Sequence, residues 1–286
     1  MTGRRLVPSR CSDVEEFLHR AGPFLEEREA EHNLILGICS TLREDPTAYQ
    51  EPPYLGVVDL DRRVVVATIR TPPYHLVLSE TDEPEAVRAL ARAIHEDDPE
   101  LPGVMGPVGV VETYVETWRE LTGRTAARTI HQRIFRCDRV AVPSGVPGRA
   151  RRADRDDRDL LVRWLDEFAR EALGDLPRQD PRDQVDRRLR GGHDALWLWE
   201  DGRPVSVAGH GGPTPHGIRI GPVYTPPDLR GRGYAGALVG EVTRVLLEDR
   251  FRFCFLFTDV SNPTANRLYE RLGYRPVRDT ATYRFD

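Results

Sequence analysis

The sequence predicts an α+β chain, with helices and strands mixed, that folds as two consecutive domains of similar size. Apolar residues recur with helical and with strand periodicity, and the order of the predicted elements is similar in both halves. Between the halves, residues 139–159 replace this periodicity with proline, glycine and mixed charge, which is typical of a linker. We therefore expect a first domain over 1–140, a linker over 141–153 and a second domain over 154–286.

The first half begins with a predicted helix over residues 12–38, which Ser12 or Asp13 caps and which Pro23 breaks or kinks. Alternating apolar residues then predict strands, and helical periodicity predicts two further helices. The remaining elements are a hairpin over 54–70, a strand over 75–80, a helix over 83–96, a helix that Gly123 closes and a strand over 129–138.

The second half repeats this order. It begins with an amphipathic helix over 158–174 that Gly174 closes, and its Asp201-Gly202 pair is a strong hairpin signal. The remaining elements are a helix over 181–192, a hairpin over 195–210, a strand over 217–225, a helix over 234–249, a buried strand over 251–259, a helix over 261–273 and strand material over 275–285.

Composition argues against several classes of protein. The formal net charge of −5 is unlike that of a generic nucleic-acid-binding protein, and no apolar run approaches the roughly 18 residues of a membrane span. The N-terminus has no apolar signal core, so we expect a cytoplasmic protein. The four cysteines are scattered and form no C-x-x-C pair, so neither zinc nor a disulfide framework is predicted, and we expect no metal.

The stretch YTPPDLRGRGYAGALVGEV, residues 224–242, joins a predicted strand to a predicted helix and predicts an anion site. Glycines permit close backbone approach, and N–H groups at a helix start attract negative charge, with Arg230 and Arg232 beside them. A G-x-G-x-x-G pattern that starts at Gly231 matches the fingerprint of NAD-binding proteins. Five residues separate this glycine from the strand, however, and little chain follows it, so we disfavour a dinucleotide.

Arg230, Gly233 and Ala235 also form the pattern R-x-x-G-x-A, which resembles the Q/R-x-x-G-x-G/A signature of the GNAT superfamily of N-acyltransferases. A second segment, NPTANRLYERLGY over 262–274, resembles that family's N-x-x-A-x-x-x-Y-E-x-x-G-Y/F motif at the expected distance. The resemblance covers residues 149–286. It implies that each half is a GNAT-like domain with a central, mostly antiparallel twisted sheet flanked by helices.

The resemblance implies an acetyl-CoA-dependent N-acetyltransferase that acts on a primary amine of a small molecule or peptide. In this family the loop and the helix N-terminus bind the pyrophosphate of acetyl-CoA, and a splayed strand before the loop binds the acetyl carbonyl and the pantetheine arm. The implied acid is Tyr269, whose phenol would protonate the leaving thiolate. The implied cofactor-binding residues are Val223, Tyr224, Thr225, Arg230, Gly231, Arg232, Gly233, Tyr234, Ala235 and Asn262.

The general base stays open at this point. Gly221 and Pro222 fill the strand positions where many relatives of this family carry a carboxylate. His210, whose unperturbed pKa suits the task, Asp259 and a chain of waters are the alternatives.

The acceptor is expected between the helix over 158–174, the loop GHGGPTPHG over 209–217 and the first half. Acidic side chains on that helix would attract a cationic amine, although acidic residues on a helix more often form its solvated face. These side chains are Asp166, Glu167 and Glu171.

In the first half, the segment that leads from the strand into the helix is TDEPEAVRAL over 81–90, which we call the acidic crossing. It is acidic and has no glycine. Acidic side chains repel a pyrophosphate, so we interpret the first half as a degenerate copy without a cofactor loop. Two fused copies can bury an exposed sheet edge within one chain, so we expect an intramolecular pseudo-dimer that is active as a monomer. We expect no nucleic-acid or membrane partner. The alternative function is a non-catalytic acyl-CoA sensor or interaction module.

Overall fold

The computed structural model describes residues 5–173 and 178–286, and the chain divides into two compact units. Unit 1 comprises Met1–Ile134 with Val277–Asp286, and unit 2 comprises Phe135–Pro276. The units differ from the predicted domains at two places, because the predicted linker belongs to unit 2 and the end of the chain belongs to unit 1.

The two halves of the chain contain the same order of elements. The first half has β1 (Leu6–Arg10), α1 (Val14–Glu27), α2 (Asn33–Glu44), β2 (Tyr54–Leu60), β3 (Arg63–Arg70), β4 (Leu76–Leu78), α3 (Pro84–Asp97), β5 (Gly103–Pro107), α4 (Val108–Thr122) and β6 (Ala126–Cys137). The second half has β7 (Arg149–Arg152), α5 (Arg158–Leu173), α6 (Pro181–Leu189), β8 (Ala195–Glu200), β9 (Pro204–Gly211), β10 (Gly217–Tyr224), α7 (Tyr234–Asp249), β11 (Phe253–Asp259), α8 (Pro263–Arg271) and β12 (Arg275–Phe285). Gly174, predicted to close α5, lies outside the described residues.

Both units contain a mostly antiparallel sheet that includes a parallel pair of strands, which confirms the predicted α+β class. In unit 1 the strands lie in the order β1-β2-β3-β4-β5-β12-β6, and β4 and β5 are parallel. In unit 2 the strands from β7 to β10 pair antiparallel in sequence, and β10 and β11 are parallel. No helix in the described ranges is long and apolar enough to cross a membrane.

The first helical stretch is two helices rather than one. Asp13 caps α1, since its carboxylate accepts an N–H of the first turn at 2.8 Å. Pro23, predicted to break or kink the helix, lies inside α1, so the helix does not break there. The break falls at residues 28–32, where His32 Nδ1 lies 2.9 Å from the Leu25 carbonyl oxygen. This contact satisfies a carbonyl that the end of α1 leaves open.

Residues 141–153, predicted as a flexible linker, pack against unit 2. The Trp199 indole N–H donates to the Pro147 carbonyl at 2.7 Å, and Arg149–Arg152 form β7 beside β8. Val146 packs on the core that α7 covers. Val146 lies among prolines and glycines and belongs to no periodic run of apolar residues. The sequence therefore does not indicate that it packs on a core.

Helices cover both faces of the sheet in unit 2. Ile218 and Ile220 of β10 pack with residues of α7 in one core. Leu196 and Leu198 of β8 pack with residues of α5 and α6 in the other. Because side chains alternate along a strand, Arg219 of β10 points toward the face that α5 and α6 cover.

The last strand of the chain completes the core of unit 1. Thr280–Arg284 pair antiparallel with Gly103–Pro107 of β5. Phe285, which follows, is buried and stacks on Trp118 with ring centroids 5.3 Å apart. The predicted second domain over 154–286 therefore includes a strand whose partner lies in the first half.

Replacing Phe285 with alanine is expected to destabilise unit 1 by about 3–5 kcal/mol, because the substitution empties a buried site against Trp118. Hydrogen–deuterium exchange with peptide resolution measures this, and peptides of β5 should lose protection while peptides of β11 keep it. The exposed neighbour Arg284 provides the control, since Arg284→Ala should change stability by less than about 0.5 kcal/mol. Equal loss of protection in β5 and β11 would contradict the assignment of the strand to unit 1.

Candidate functional site

β10 parts from β11 partway along its length, which opens the sheet of unit 2. The two strands pair through Gly217–Arg219 and Phe253–Phe255. On the other edge of β10, the register with β9 shifts between Ile220 and Val223, so that Gly221 and its neighbouring proline form a bulge. Proline has no N–H to contribute to a ladder, which suits a strand that leaves its sheet. The end of β10, from Val223 onward, lies beyond the segment that pairs with β11.

Side chains from two neighbouring elements hold the end of β10. The Ser206 hydroxyl donates to the Tyr224 carbonyl at 3.1 Å and lies 2.8 Å from the Thr225 hydroxyl. The Tyr224 hydroxyl donates to Oε2 of Glu167 on α5 at 2.9 Å. Burial, followed by this contact with Glu167, raises the pKa of Tyr224 to about 12. Tyr224 therefore stays protonated and tethers α5 to the strand at neutral pH.

A turn of 3-10 helix and two glycines connect β10 to α7. Gly231 and Gly233 adopt left-handed backbone conformations, with φ of 78° and 85°, which other residues adopt only at a cost in energy. Gly233 is the N-cap of α7, and no side chain in the described ranges caps the helix. The N–H groups of the first turn are thus not taken by a capping side chain, and a helix start of this kind attracts anions.

The first turn of α7 is anchored to the β8–β9 hairpin. Tyr234 is buried in the core, and its hydroxyl donates to Oδ2 of Asp201 at 2.7 Å. Ala235 follows and is half-buried. The predicted hairpin turn at Asp201 therefore fixes where the helix begins.

Both arginines of the loop are exposed and have partners. Arg230 pairs with Glu171 of α5 at 2.6 Å, and its Nε donates to the Thr225 carbonyl at 2.9 Å. Arg232 donates to the Asp228 carbonyl at 3.3 Å. An exposed ion pair typically contributes only about 0–1 kcal/mol, so the pairing of Arg230 leaves it able to exchange its partner for another anion.

The second motif forms α8. Asn262 is its N-cap, since Oδ1 accepts the Ala265 N–H at 3.0 Å, which confirms the predicted helix start. Tyr269 packs in the core with Ile220, and its ring meets that of Tyr274 edge-on at 5.9 Å. Burial raises the pKa of Tyr269 to about 12, so the phenol keeps its proton at neutral pH.

The two side chains considered as general base have other surroundings. His210 is buried opposite Ile220 in the β9–β10 ladder, and burial lowers its pKa to about 4. A base with so low a pKa accepts protons poorly at neutral pH. Asp259 holds the turn into α8, because its Oδ1 accepts from the Ser261 N–H at 2.7 Å and from the Ser261 hydroxyl at 2.6 Å.

In unit 1, β4 and α3 take the places that β10 and α7 take in unit 2. The Glu80 N–H after β4 donates to Nε2 of His32 at 3.0 Å, and burial lowers the pKa of His32 to about 4, which keeps Nε2 an acceptor. Glu80, just before the acidic crossing, pairs with Arg278 at 2.9 Å, and Asp82 within it pairs with Arg28 at 2.6 Å. A histidine 48 residues away thus takes the amide that follows β4, which the sequence pattern did not reveal.

Part of unit 2 is similar to a known protein family. Residues 159–274 match the model of the acetyltransferase (GNAT) family. No curated protein matches the chain.

Solved structures share the fold of the whole chain. A Drosophila protein from a structural genomics consortium superposes with a TM-score of 0.68 at 13% identity, over 99% of each chain. A GCN5-related N-acetyltransferase from Sphaerobacter thermophilus gives 0.60 at 18% identity, over 98% of this chain and 95% of that one. A tandem GNAT protein from the clavulanic acid biosynthesis pathway gives 0.54 at 12% identity, over 99% and 98%. The match to the GNAT acetyltransferase family thus covers residues 159–274, which lie in unit 2.

Proposed function

We propose that unit 2 is an acetyl-CoA-dependent N-acetyltransferase that acts on a primary amine of a small molecule or peptide. The observation that carries the proposal is that two structural features lie side by side in the segment that matches the GNAT family. A strand end that has left its parallel neighbour lies next to a glycine turn and a helix start without a capping side chain. An acyl carrier with a phosphate group and an extended arm needs both features, the helix start for the phosphate and the strand end for the arm.

The residues of the loop fit the pyrophosphate of coenzyme A. The side-chain face of Gly231 is open, so nothing crowds the backbone there. The small Ala235 leaves the first turn of α7 accessible, and the helix dipole favours negative charge at this end. Arg230 and Arg232 add positive charge at the loop. The Tyr234 hydroxyl donates to Asp201 of the β8–β9 hairpin, and this hydrogen bond fixes the position of the N–H groups at the start of α7.

The end of β10 fits the arm of the carrier. Backbone N–H groups of Val223, Tyr224 and Thr225 would hold the acetyl carbonyl and the pantetheine amides, as extended strands pair with one another. The bound thioester supplies the acetyl group. Asn262 holds the start of α8, the helix that carries Tyr269 into the same core as Ile220 of β10.

The chain's own groups then have distinct chemical roles. N–H groups at the strand end polarise a carbonyl, because they are fixed before the reaction and point to where negative charge develops. Tyr269 holds a proton at its phenol oxygen, which a departing thiolate can accept. A non-catalytic acyl-CoA sensor, the alternative function, would use the loop and the strand end but not this proton.

Gly233→Asp is expected to weaken coenzyme A binding about tenfold or more, because it places a negative charge beside the pyrophosphate position. Gly233→Ala separates this effect from strain, since both variants share the positive φ and the close approach to Val146. Isothermal titration calorimetry with coenzyme A measures both.

The matched control for this experiment is Gly123→Asp, which introduces the same residue at another positive-φ glycine, at the end of α4 in unit 1. Its affinity for coenzyme A should equal that of the unmodified chain. Saturable NAD binding together with no coenzyme A binding would refute the proposal and restore the dinucleotide interpretation.

Tyr269→Phe is expected to lower kcat by about 10²–10⁴-fold while the Kd for coenzyme A stays unchanged, because the ring is kept and only the proton donor is lost. A substrate-saturated acetylation assay and calorimetry give the two quantities. Tyr274→Phe is the control from the same ring pair, since it removes a buried hydroxyl that lies 2.6 Å from Thr243 and should affect stability rather than turnover. Unchanged kcat in Tyr269→Phe would assign Tyr269 a packing role.

A further inference from the structure

We propose that Tyr224 and Glu167 form the base of the acetyl transfer. The amine of the acceptor gives a proton to the hydroxyl oxygen of Tyr224 while Tyr224 passes its own proton to Oε2 of Glu167. The inference rests on the proposed function and names the group that neutralises the acceptor at the same site. It gives Glu167 a role different from the expected attraction of a cationic amine.

The bulge of β10 sets the direction of the Tyr224 side chain. Between Ile220 and Val223, β10 advances three residues while its partner β9 advances two. Because side chains alternate along a strand, one extra residue moves every later side chain to the opposite face of the sheet. Ile220 packs in the core with α7, whereas Tyr224, four residues later, packs in the core with α5 and α6. The bulge therefore turns Tyr224 toward α5.

The Tyr224 hydroxyl meets a carboxylate on that face. It donates to Oε2 of Glu167 at 2.9 Å. The ring is buried, and it lies beside Trp164 of the same helix with ring centroids 6.5 Å apart. A phenol oxygen donates one proton and has lone pairs that accept a second hydrogen bond. A proton that arrives at this oxygen can therefore leave toward the carboxylate, which is what a proton relay needs.

Glu167 is the acidic residue near the expected acceptor that hydrogen-bonds to β10. Its neighbours on the helix, Asp166 and Glu171, pair with arginines outside that strand. The two side chains first considered as base have other surroundings, since burial lowers the pKa of His210 to about 4 and Asp259 holds the turn into α8. The contact between Tyr224 and Glu167 thus leads from the strand end to a carboxylate.

The proposed acid and base lie on opposite faces of the sheet. Tyr269, the acid, packs in the core that contains Ile220 and residues of α7. Tyr224 packs on the side of α5, and its own backbone N–H is one of those proposed to hold the acetyl carbonyl. An amine that attacks this carbonyl from the α5 side meets the proton acceptor, while the sulfur leaves on the side of the proton donor.

The protons and bonds of this reaction balance. An alkylammonium gives its first proton through Tyr224 to Glu167, which leaves a neutral amine. The nitrogen forms the C–N bond, the C–S bond breaks, and the thiolate takes the proton of Tyr269. The nitrogen then gives its second proton to the Tyr269 oxygen, which restores the phenol. The products are an amide, the thiol of coenzyme A and one proton, which Glu167 returns to solvent.

The test replaces Glu167 with glutamine, whose amide oxygen still accepts the Tyr224 hydroxyl but is not a base. Two amines of matched shape are the probes: ethylamine, which is almost wholly charged at neutral pH, and trifluoroethylamine, which is mostly neutral. Release of the coenzyme A thiol from acetyl-CoA measures kcat/KM for each. Glu167→Gln is expected to lower kcat/KM about 10²-fold or more for ethylamine and to leave it nearly unchanged for trifluoroethylamine, because a neutral amine has no first proton to lose.

Two further variants show whether the residues act together. Tyr224→Phe should lower kcat/KM for ethylamine to a similar extent, and adding Glu167→Gln to it should lower the value little further, since groups that act as a unit are not additive. Asp159→Asn, which removes an exposed carboxylate from the first turn of the same helix, is the matched control. It should leave kcat/KM for both amines unchanged.

Equal losses with both amines in Glu167→Gln, or no loss with ethylamine, would overturn the inference and leave the contact between Tyr224 and Glu167 as a tether. Circular dichroism of each variant and its Kd for coenzyme A exclude misfolding and loss of the cofactor site as causes. If the unmodified chain shows no coenzyme A binding, or no thiol release that depends on an amine, the proposed function itself fails and the inference falls with it.

Discussion

The parting of β10 from β11 is the constraint on which the site in unit 2 depends. The parallel ladder stops at Arg219, so beyond the bulge β10 keeps its pairing with β9 while its other edge no longer pairs with β11. Neighbouring residues make room for this: a side chain at Gly209 would place its Cβ 2.7 Å from the Gly221 carbonyl oxygen. A β9 strand with any other residue there would press on the bulge and displace the strand end.

Hydrogen bonds on both faces of the sheet then fix the end of β10 and the start of α7. From the α5 side, Glu167 accepts the Tyr224 hydroxyl, and from the hairpin side, Asp201 accepts the Tyr234 hydroxyl. These two bonds hold the strand end and the helix start, which are the two parts that the proposed carrier would contact. Unit 1 has the same element order, but there His32 binds the amide that follows β4. The difference between the units therefore lies in local hydrogen bonds rather than in topology.

Local patterns were sufficient to predict the elements around the site. The helix predicted over 234–249 has those bounds, and Asn262 caps α8 as its sequence indicated. Long-range pairing was not predictable: β1 was missed, β7 lies in the predicted linker, and β12 pairs in unit 1. Strand periodicity shows which residues face a core but not which strand lies alongside.

The most direct test of the account is to map amide NMR shifts of the full chain on adding coenzyme A. We expect the largest changes between Val223 and Ala235, at the strand end and the first turn of α7, with little change around Glu80 in unit 1. One site per chain should saturate. Largest changes in the acidic crossing over 81–90, or no saturable change in either unit, would contradict the assignment of the cofactor site to the opening between β10 and β11.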